Sequence, residues 1–142
     1  MSDRVAIGAP QPTPDALTAF FWEGCRRGVL QIQRCTSCGT FIHYPRPVCR
    51  NCLGTDLTPS TVSGDGSVYS FTIAHQAFHR WFSDKLPYVI ATIELVEQPH
   101  LHLISNVVDC SPHEVEVGMP LSVVFREVEP GLVLPLFKRC ES

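Results

Sequence analysis

Four of the seven cysteines stand in two Cys-x-x-Cys pairs, Cys35 with Cys38 and Cys49 with Cys52, and ten residues separate the pairs. Two residues between cysteines let one tight turn aim both sulfurs at a point. Two such knuckles on facing hairpins make a tetrahedral thiolate cage of the kind zinc prefers. Thiolate softness also admits iron in that cage. Gly39 directly follows Cys38, and Gly54 lies two residues after Cys52. Glycine suits the φ > 0 corners that turn backbone N–H groups toward sulfur. A redox Cys-x-x-Cys needs a strand-to-helix context. The stretch FIHYPRPV between the pairs, rich in proline and aromatics, offers none. Four thiolates leave no open position for substrate or water, so the metal is expected to be structural.

The other reactive side chains are scattered. Cys25, Cys110 and Cys140 are isolated, and buried or incidental thiols are the expectation for each. Arg26 and Arg27 would lower the pKa of Cys25, but nothing else marks it as a nucleophile. The six histidines include two close pairs, His75 with His79 and His100 with His102. Either pair has the chemistry for a second metal or for acid–base work. No HExxH-type carboxylate motif accompanies them, and surface or hydrogen-bonded core roles are expected. There is no glycine-rich phosphate loop and no Gly-x-Ser-x-Gly elbow. No catalytic set emerges.

Positioning these residues requires a helix, a ribbon and a set of short strands. Residues 1–12 read as a disordered lead. Residues 13–28 read as a helix, with Thr13 as its cap, Pro14 at its first position and Gly28 as its stop. Leu17, Phe20, Phe21 and Trp22 form a thick apolar stripe on it, which suits either core packing or docking of a partner. The ribbon fills 29–56. From 57 onward the apolar period is two, and Val89, Ala91, Ile93 and Leu95 alternate cleanly. Strands are expected at 57–63, 67–74, 88–97, 100–109, 121–127 and 132–137. Gly64-Asp65-Gly66 and Pro130-Gly131 serve as turns between them. Five or six short antiparallel strands in so few residues point to a small closed barrel of the OB type at 57–138, followed by a tail at 139–142. The fold class is thus mainly β: an N-terminal helix, a rubredoxin-like zinc ribbon and a five- to six-stranded OB-fold barrel. The loop 75–87 interrupts the pattern with His75, Phe78, His79, Trp81 and Phe82, and Tyr88 follows it. Aromatics at a barrel mouth suit a ligand-binding loop or a plug over the barrel end.

Composition narrows the function classes. The 142 residues are 44% hydrophobic, enough for one domain with a core. A net charge of −3 argues against phosphate-backbone binding as the main task. No apolar run approaches the ~20 residues of a membrane span. The N-terminal stretch lacks the apolar region of a signal peptide. A cytoplasmic protein with reduced thiols is expected.

The series FFWEG, RCTSCG, YPRPVCRNC, SGDGSVYSFT, PYVIATIEL and VGMPLSVVF, from about Leu17 to Phe137, resembles the zinc-ribbon plus OB-fold family catalogued as domain-of-unknown-function family 35. The resemblance implies a non-catalytic accessory subunit. Family members bind thiolase-fold enzymes, among them acyl-CoA condensing enzymes and thiolase-like aldolases that cleave side chains from steroid or aromatic acyl-CoA esters. It implies zinc on Cys35, Cys38, Cys49 and Cys52, docking through the helix and ribbon, and a barrel that helps hold an acyl-CoA. Arg46 and Arg80 are the candidates for CoA phosphates. The rival reading is a single-stranded nucleic-acid binder, with Arg34, Arg46 and Arg50 on the ribbon and stacking aromatics in the loop.

Overall fold

The computed structural model of the protein describes residues 9–77 and 79–140. Helix α1 (Ala19–Arg26) is followed by a three-stranded antiparallel sheet of order β2-β1-β3, formed by β1 (Leu30–Cys35), β2 (Phe41–Ile42) and β3 (Leu57–Val62). The chain then builds a closed five-stranded barrel from β4 (Asp65–Ala74), β5 (Tyr88–Leu95), β6 (His102–Val108), β7 (Pro120–Glu129) and β8 (Leu132–Arg139), in the order β4-β5-β6-β8-β7. The mainly β class, with one helix, a ribbon and an OB-type barrel, is the one the sequence led us to expect.

Strand β5 shows why alternation was a good guide. Val89, Ala91, Ile93 and Leu95 point inward and are at most 2% exposed, while their neighbours are half-buried. Closure rests on two pairings. Asp65 to Ser67 of β4 face Ser122 to Pro120 of β7, and β6 lies parallel to β8, with Val107 opposite Phe137. That parallel pair departs from the expected all-antiparallel set. It follows from the β7–β8 hairpin folding back across the open side of β6 to remove the free edges.

Three expectations are corrected. The helix begins at Ala19, well after Thr13, because Asp15 captures the preceding turn. Its carboxylate accepts from the Leu17 and Thr18 N–H groups at 2.9 and 3.0 Å, and Thr18 Oγ1 accepts from Asp15 N–H. Gly28 does end the helix, at φ +76°. Second, residues 57–62 join the ribbon sheet instead of the barrel, with Leu57 opposite Cys35 and Val62 opposite Leu30. Gly64-Asp65-Gly66 is therefore a crossing between sheets, and β4 already begins at Asp65. Gly66 is required there, since a Cβ would sit 2.6 Å from the Glu94 carbonyl oxygen. Third, the lead is anchored at its end: Ala9 is buried, and its N–H and the Gln11 amide donate to the Glu129 carboxylate. Residues 1–8 and 141–142 lie outside the described residues.

Helix, ribbon and barrel share one core. Phe21 and Cys25 of α1 and Leu30, Ile32 and Phe41 of the ribbon cluster with Val68, Ile93, Leu103 and Phe137 of the barrel. The helix stripe thus buries Phe21 against the main core, while Leu17 stays 37% exposed.

Candidate metal centre and surrounding clefts

Cys35 closes β1, and Cys38 follows in a knuckle that Gly39 N–H seals by donating to the Cys35 carbonyl at 2.8 Å. The second knuckle repeats the bond: Leu53 N–H donates to the Cys49 carbonyl at 2.9 Å. Both corner residues have positive φ, +79° at Gly39 and +64° at Leu53. The sequence suggested Gly54 for the second corner. The structure gives that conformation to Leu53 and uses Gly54 for room instead, since a Cβ there would press on Cys52 Sγ at 3.2 Å.

The four Sγ atoms lie within 4.8 Å of one another, with Cys35 to Cys52 and Cys38 to Cys49 both at 3.6 Å. Zinc–sulfur bonds of about 2.3 Å in a tetrahedron separate the sulfurs by about 3.8 Å. A disulfide would need about 2.05 Å. These separations suit a zinc tetrahedron and not a disulfide. The electrostatics of the cage ask for a cation. The Thr40 hydroxyl, 3.2 Å from Cys38 Sγ, and the Asn51 amide lower the Cys38 pKa to about 5. The Gly54 N–H favours a Cys52 thiolate, yet the sulfurs of Cys35, Cys38 and Cys49 outweigh it and push that thiol up to about 12. Four thiolates so close together ionise jointly only around a positive charge. Asn51 N–H also donates to Cys49 Sγ at 3.3 Å. Cys35, Cys38, Cys49 and Cys52 are thus positioned to hold a structural zinc.

Two glutamines lock the ribbon. Gln33, 6% exposed, donates its amide to the Arg46 carbonyl and accepts from Arg46 N–H, both at 2.8 Å. Gln98, in the β5–β6 turn, does the same to Phe41 across the ribbon–barrel junction, at 3.0 and 2.8 Å. Each side chain acts as a two-bond strand edge. Neither was legible in the sequence, where Gln33 is one polar residue in a strand and Gln98 one residue of a turn.

A cleft of about 240 Å³ opens between α1, residues 43–45, β6 and β8. Phe21, Trp22, His43, Tyr44, Leu134 and Leu136 line it. His43 lies between Phe21 and Tyr44, with ring centroids 5.4 and 4.2 Å away. Neither of its ring nitrogens has a hydrogen-bond partner, and burial lowers its pKa to about 4. This corrects the expectation that the histidines are all exposed or hydrogen-bonded. The signal available in sequence was its place inside FIHYPRPV, among apolar and aromatic neighbours.

The aromatic loop turns its rings on one another. Phe82 stacks on Tyr88 at 4.8 Å, Trp81 meets Phe82 edge-on at 4.9 Å, and Lys85 Nζ sits 3.8 Å from the Trp81 ring. His79 caps the 3-10 turn Arg80–Phe82 by accepting from Trp81 N–H, so it is not helically spaced with His75, which is exposed. Phe78 lies outside the described residues. Arg46 and Arg80 are exposed and join no ion pair among the described residues. Cys25 is 1% exposed, and desolvation drives its thiol up to about 12 against the pull of Arg26. The expected lowering by the arginines is reversed because the ring of core residues excludes water from the sulfur. No helix of the described residues is long and apolar enough to cross a membrane.

Residues 22–58 match the family model for the ChsH2 rubredoxin-like zinc ribbon domain, and residues 60–126 match that for the ChsH2 C-terminal OB-fold domain. The chain is 37% identical over 129 residues to a probable enoyl-CoA hydratase alpha subunit of Thermomonospora curvata. That alignment covers 91% of this chain and 39% of the relative, so the chain spans about two-fifths of that protein's length. It is also 37% identical over 97 residues to a DUF35 domain-containing scaffold protein of Methanocaldococcus jannaschii, covering 68% of this chain and 67% of the relative. Among solved structures, a chain of the Ltp2-ChsH2(DUF35) aldolase superposes with a TM-score of 0.83 at 36% identity, covering 91% of this chain and 98% of that one.

Proposed function

This chain belongs to the DUF35 family of paired zinc-ribbon and OB-fold domains, and from that premise we propose that it is a non-catalytic accessory subunit of a thiolase-fold enzyme acting on acyl-CoA. The partner class is a thiolase or a thiolase-like aldolase, and steroid side chains are the substrate that the family resemblance implies. The observation that carries the reading is the match along nearly the whole length of a chain from an aldolase complex. The closed four-thiolate shell supports it, because such a zinc holds architecture and offers no site for chemistry.

The docking face we assign is the rim of the α1 cleft. Tyr44 and Ile104 are 55% and 56% exposed there, Trp22 is half-buried, and the exposed Leu17 precedes the lining Thr18 in the chain. Phe20 and Phe21 steady that rim from below, in contact with the core. Side chains this large and apolar, gathered beside a cleft, suit a protein partner. Arg46 and Arg80 are assigned to CoA phosphates as exposed cations without a competing carboxylate. Trp81, Phe82 and Tyr88 pack on one another, and we assign them, with the exposed His75, to border the bound thioester. The same reading places the protein in the cytoplasm, as its reduced thiols suggest.

Affinity capture of the tagged chain from its own cells, followed by intact mass spectrometry and metal analysis, tests the reading. A thiolase-fold protein at fixed stoichiometry, with one zinc per chain, is the expected result. Loss of that protein in Tyr44→Asp and Ile104→Asp, with zinc retained, places the contact at the cleft rim. Recovery of the wild-type chain alone, or with nucleic acid in place of an enzyme, overturns the subunit reading.

A further inference from the structure

We propose that Glu94, His100 and His102 form a second metal site, for a divalent first-row transition cation, distinct from the thiolate cage in residues and chemistry. Glu94 and His102 are direct cross-strand partners on β5 and β6, and Glu94 Oε1 lies 3.2 Å from His102 Nε2. His100 sits in the preceding turn at φ +64°, and its ring comes within 6.1 Å of the His102 ring, nearly perpendicular to it. One ligand atom from each of the three residues falls within 4.8 Å of the others.

The site is built on fixed backbone. Leu95 N–H donates to the Leu101 carbonyl at 2.9 Å, and both leucines are 1% exposed. Val96 N–H donates to the Asp65 carbonyl, and Gln98 ties the same turn to the ribbon. The Tyr69 ring packs against His102 at a tilt of 38°, with centroids 4.3 Å apart, which restrains the imidazole. Among the described residues His102 is the sole ionic partner of Glu94, so no lysine or arginine neutralises the carboxylate.

Metal–nitrogen and metal–oxygen bonds of about 2.0 to 2.2 Å put neighbouring ligand atoms about 3 to 3.5 Å apart. The Glu94–His102 pair already has that separation. The exposed His100 ring is the part that has to close in. The cation takes the place of the hydrogen between Nε2 and Oε1, the imidazole binding through Nε2 as its Nδ1–H tautomer. Two imidazoles and one carboxylate select zinc, nickel, copper or iron(II) over magnesium and calcium, which prefer all-oxygen shells. Three protein ligands leave the remaining positions to water, in contrast to the closed cage of the ribbon. The inference stands apart from the choice of partner enzyme.

The test uses the full-length, tag-free, zinc-loaded chain dialysed to equilibrium against nickel(II), with both metals counted by mass spectrometry. The expected result is one nickel per chain beside the retained ribbon zinc. His100→Gly, which suits the positive φ of the turn, and His102→Ala should each weaken nickel binding by about tenfold or more. Glu94→Gln should weaken it as well. His75→Ala and His113→Ala should bind as the wild type does. Unchanged zinc content and melting curves in His100→Gly certify its fold. Absence of nickel from the wild-type chain, or undiminished binding in a folded His100→Gly, overturns the proposal.

Discussion

Replacing Gln33 with leucine tests whether the amide clamp, and not the zinc alone, holds the loop between the knuckles. Leucine keeps similar bulk and apolar packing in β1, so the change isolates two hydrogen bonds. Both are 2.8 Å long and join Gln33 to the backbone of Arg46, thirteen residues away. Each such bond contributes about 1 kcal/mol net, and the stranded Arg46 N–H and carbonyl add about 1 kcal/mol where water reaches them incompletely. The expected loss is about 3 kcal/mol, equivalent to a melting shift of about 10 °C for a chain of this size. Urea unfolding measures it, with a colorimetric chelator reporting zinc release in parallel. The midpoint should fall with little change in slope, and zinc should leave at lower urea. A loss below about 1 kcal/mol, with zinc release unchanged, would refute the reasoning and leave the metal as sufficient on its own.

Cys35→Ser and Cys49→Ser should each lose the metal and expose the ribbon to protease; a serine variant with a full zinc equivalent and native resistance would contradict the cage. Leu53→Gly should stabilise the second knuckle by up to about 1 kcal/mol, relieving left-handed strain at an exposed leucine, whereas Gly39→Leu should cost about 1–2 kcal/mol; effects of the same sign from the pair in urea unfolding would show that the corners are not equivalent. Gly66→Ala should cost about 3 kcal/mol, since its Cβ meets the Glu94 carbonyl and Ile93 on the neighbouring strand, and calorimetry will read this as an early melt. His43 has a folded pKa of about 4 against 6.5 for the free side chain, so the unfolded chain binds more protons between those values. Its contribution is complete above about pH 6.5 and is lost as pH falls toward 4, on the order of 3 kcal/mol in all, and His43→Phe should flatten that part of the stability profile relative to wild type.

The metal centre was legible because its determinants are local. Two residues between cysteines fix a knuckle, and four thiols at that spacing have one structural use. The barrel strands were legible for the same kind of reason, since β5 needs only its own alternation to say which side faces inward. Alternation says nothing of which strand lies alongside. The assignment of β3 to the ribbon depends on six pairings with β1, and the parallel contact of β6 with β8 depends on how the barrel closes.

The same limit governs the side chains. Two arginines beside Cys25 suggest a lowered thiol pKa in one dimension, and burial drives it up instead. Gln98 reads as turn filler, and its amide meets Phe41 from 57 residues away. Glu94 is an outward residue of one strand until β6 pairs beside it and the turn carries His100 across. The sequence by itself determined the zinc ligands and the inward faces, because turn geometry and pleat act within a few residues. Tertiary structure alone decided the partners, the buried imidazole and the second cluster of ligands, because proximity between distant residues exists only once the sheets have closed.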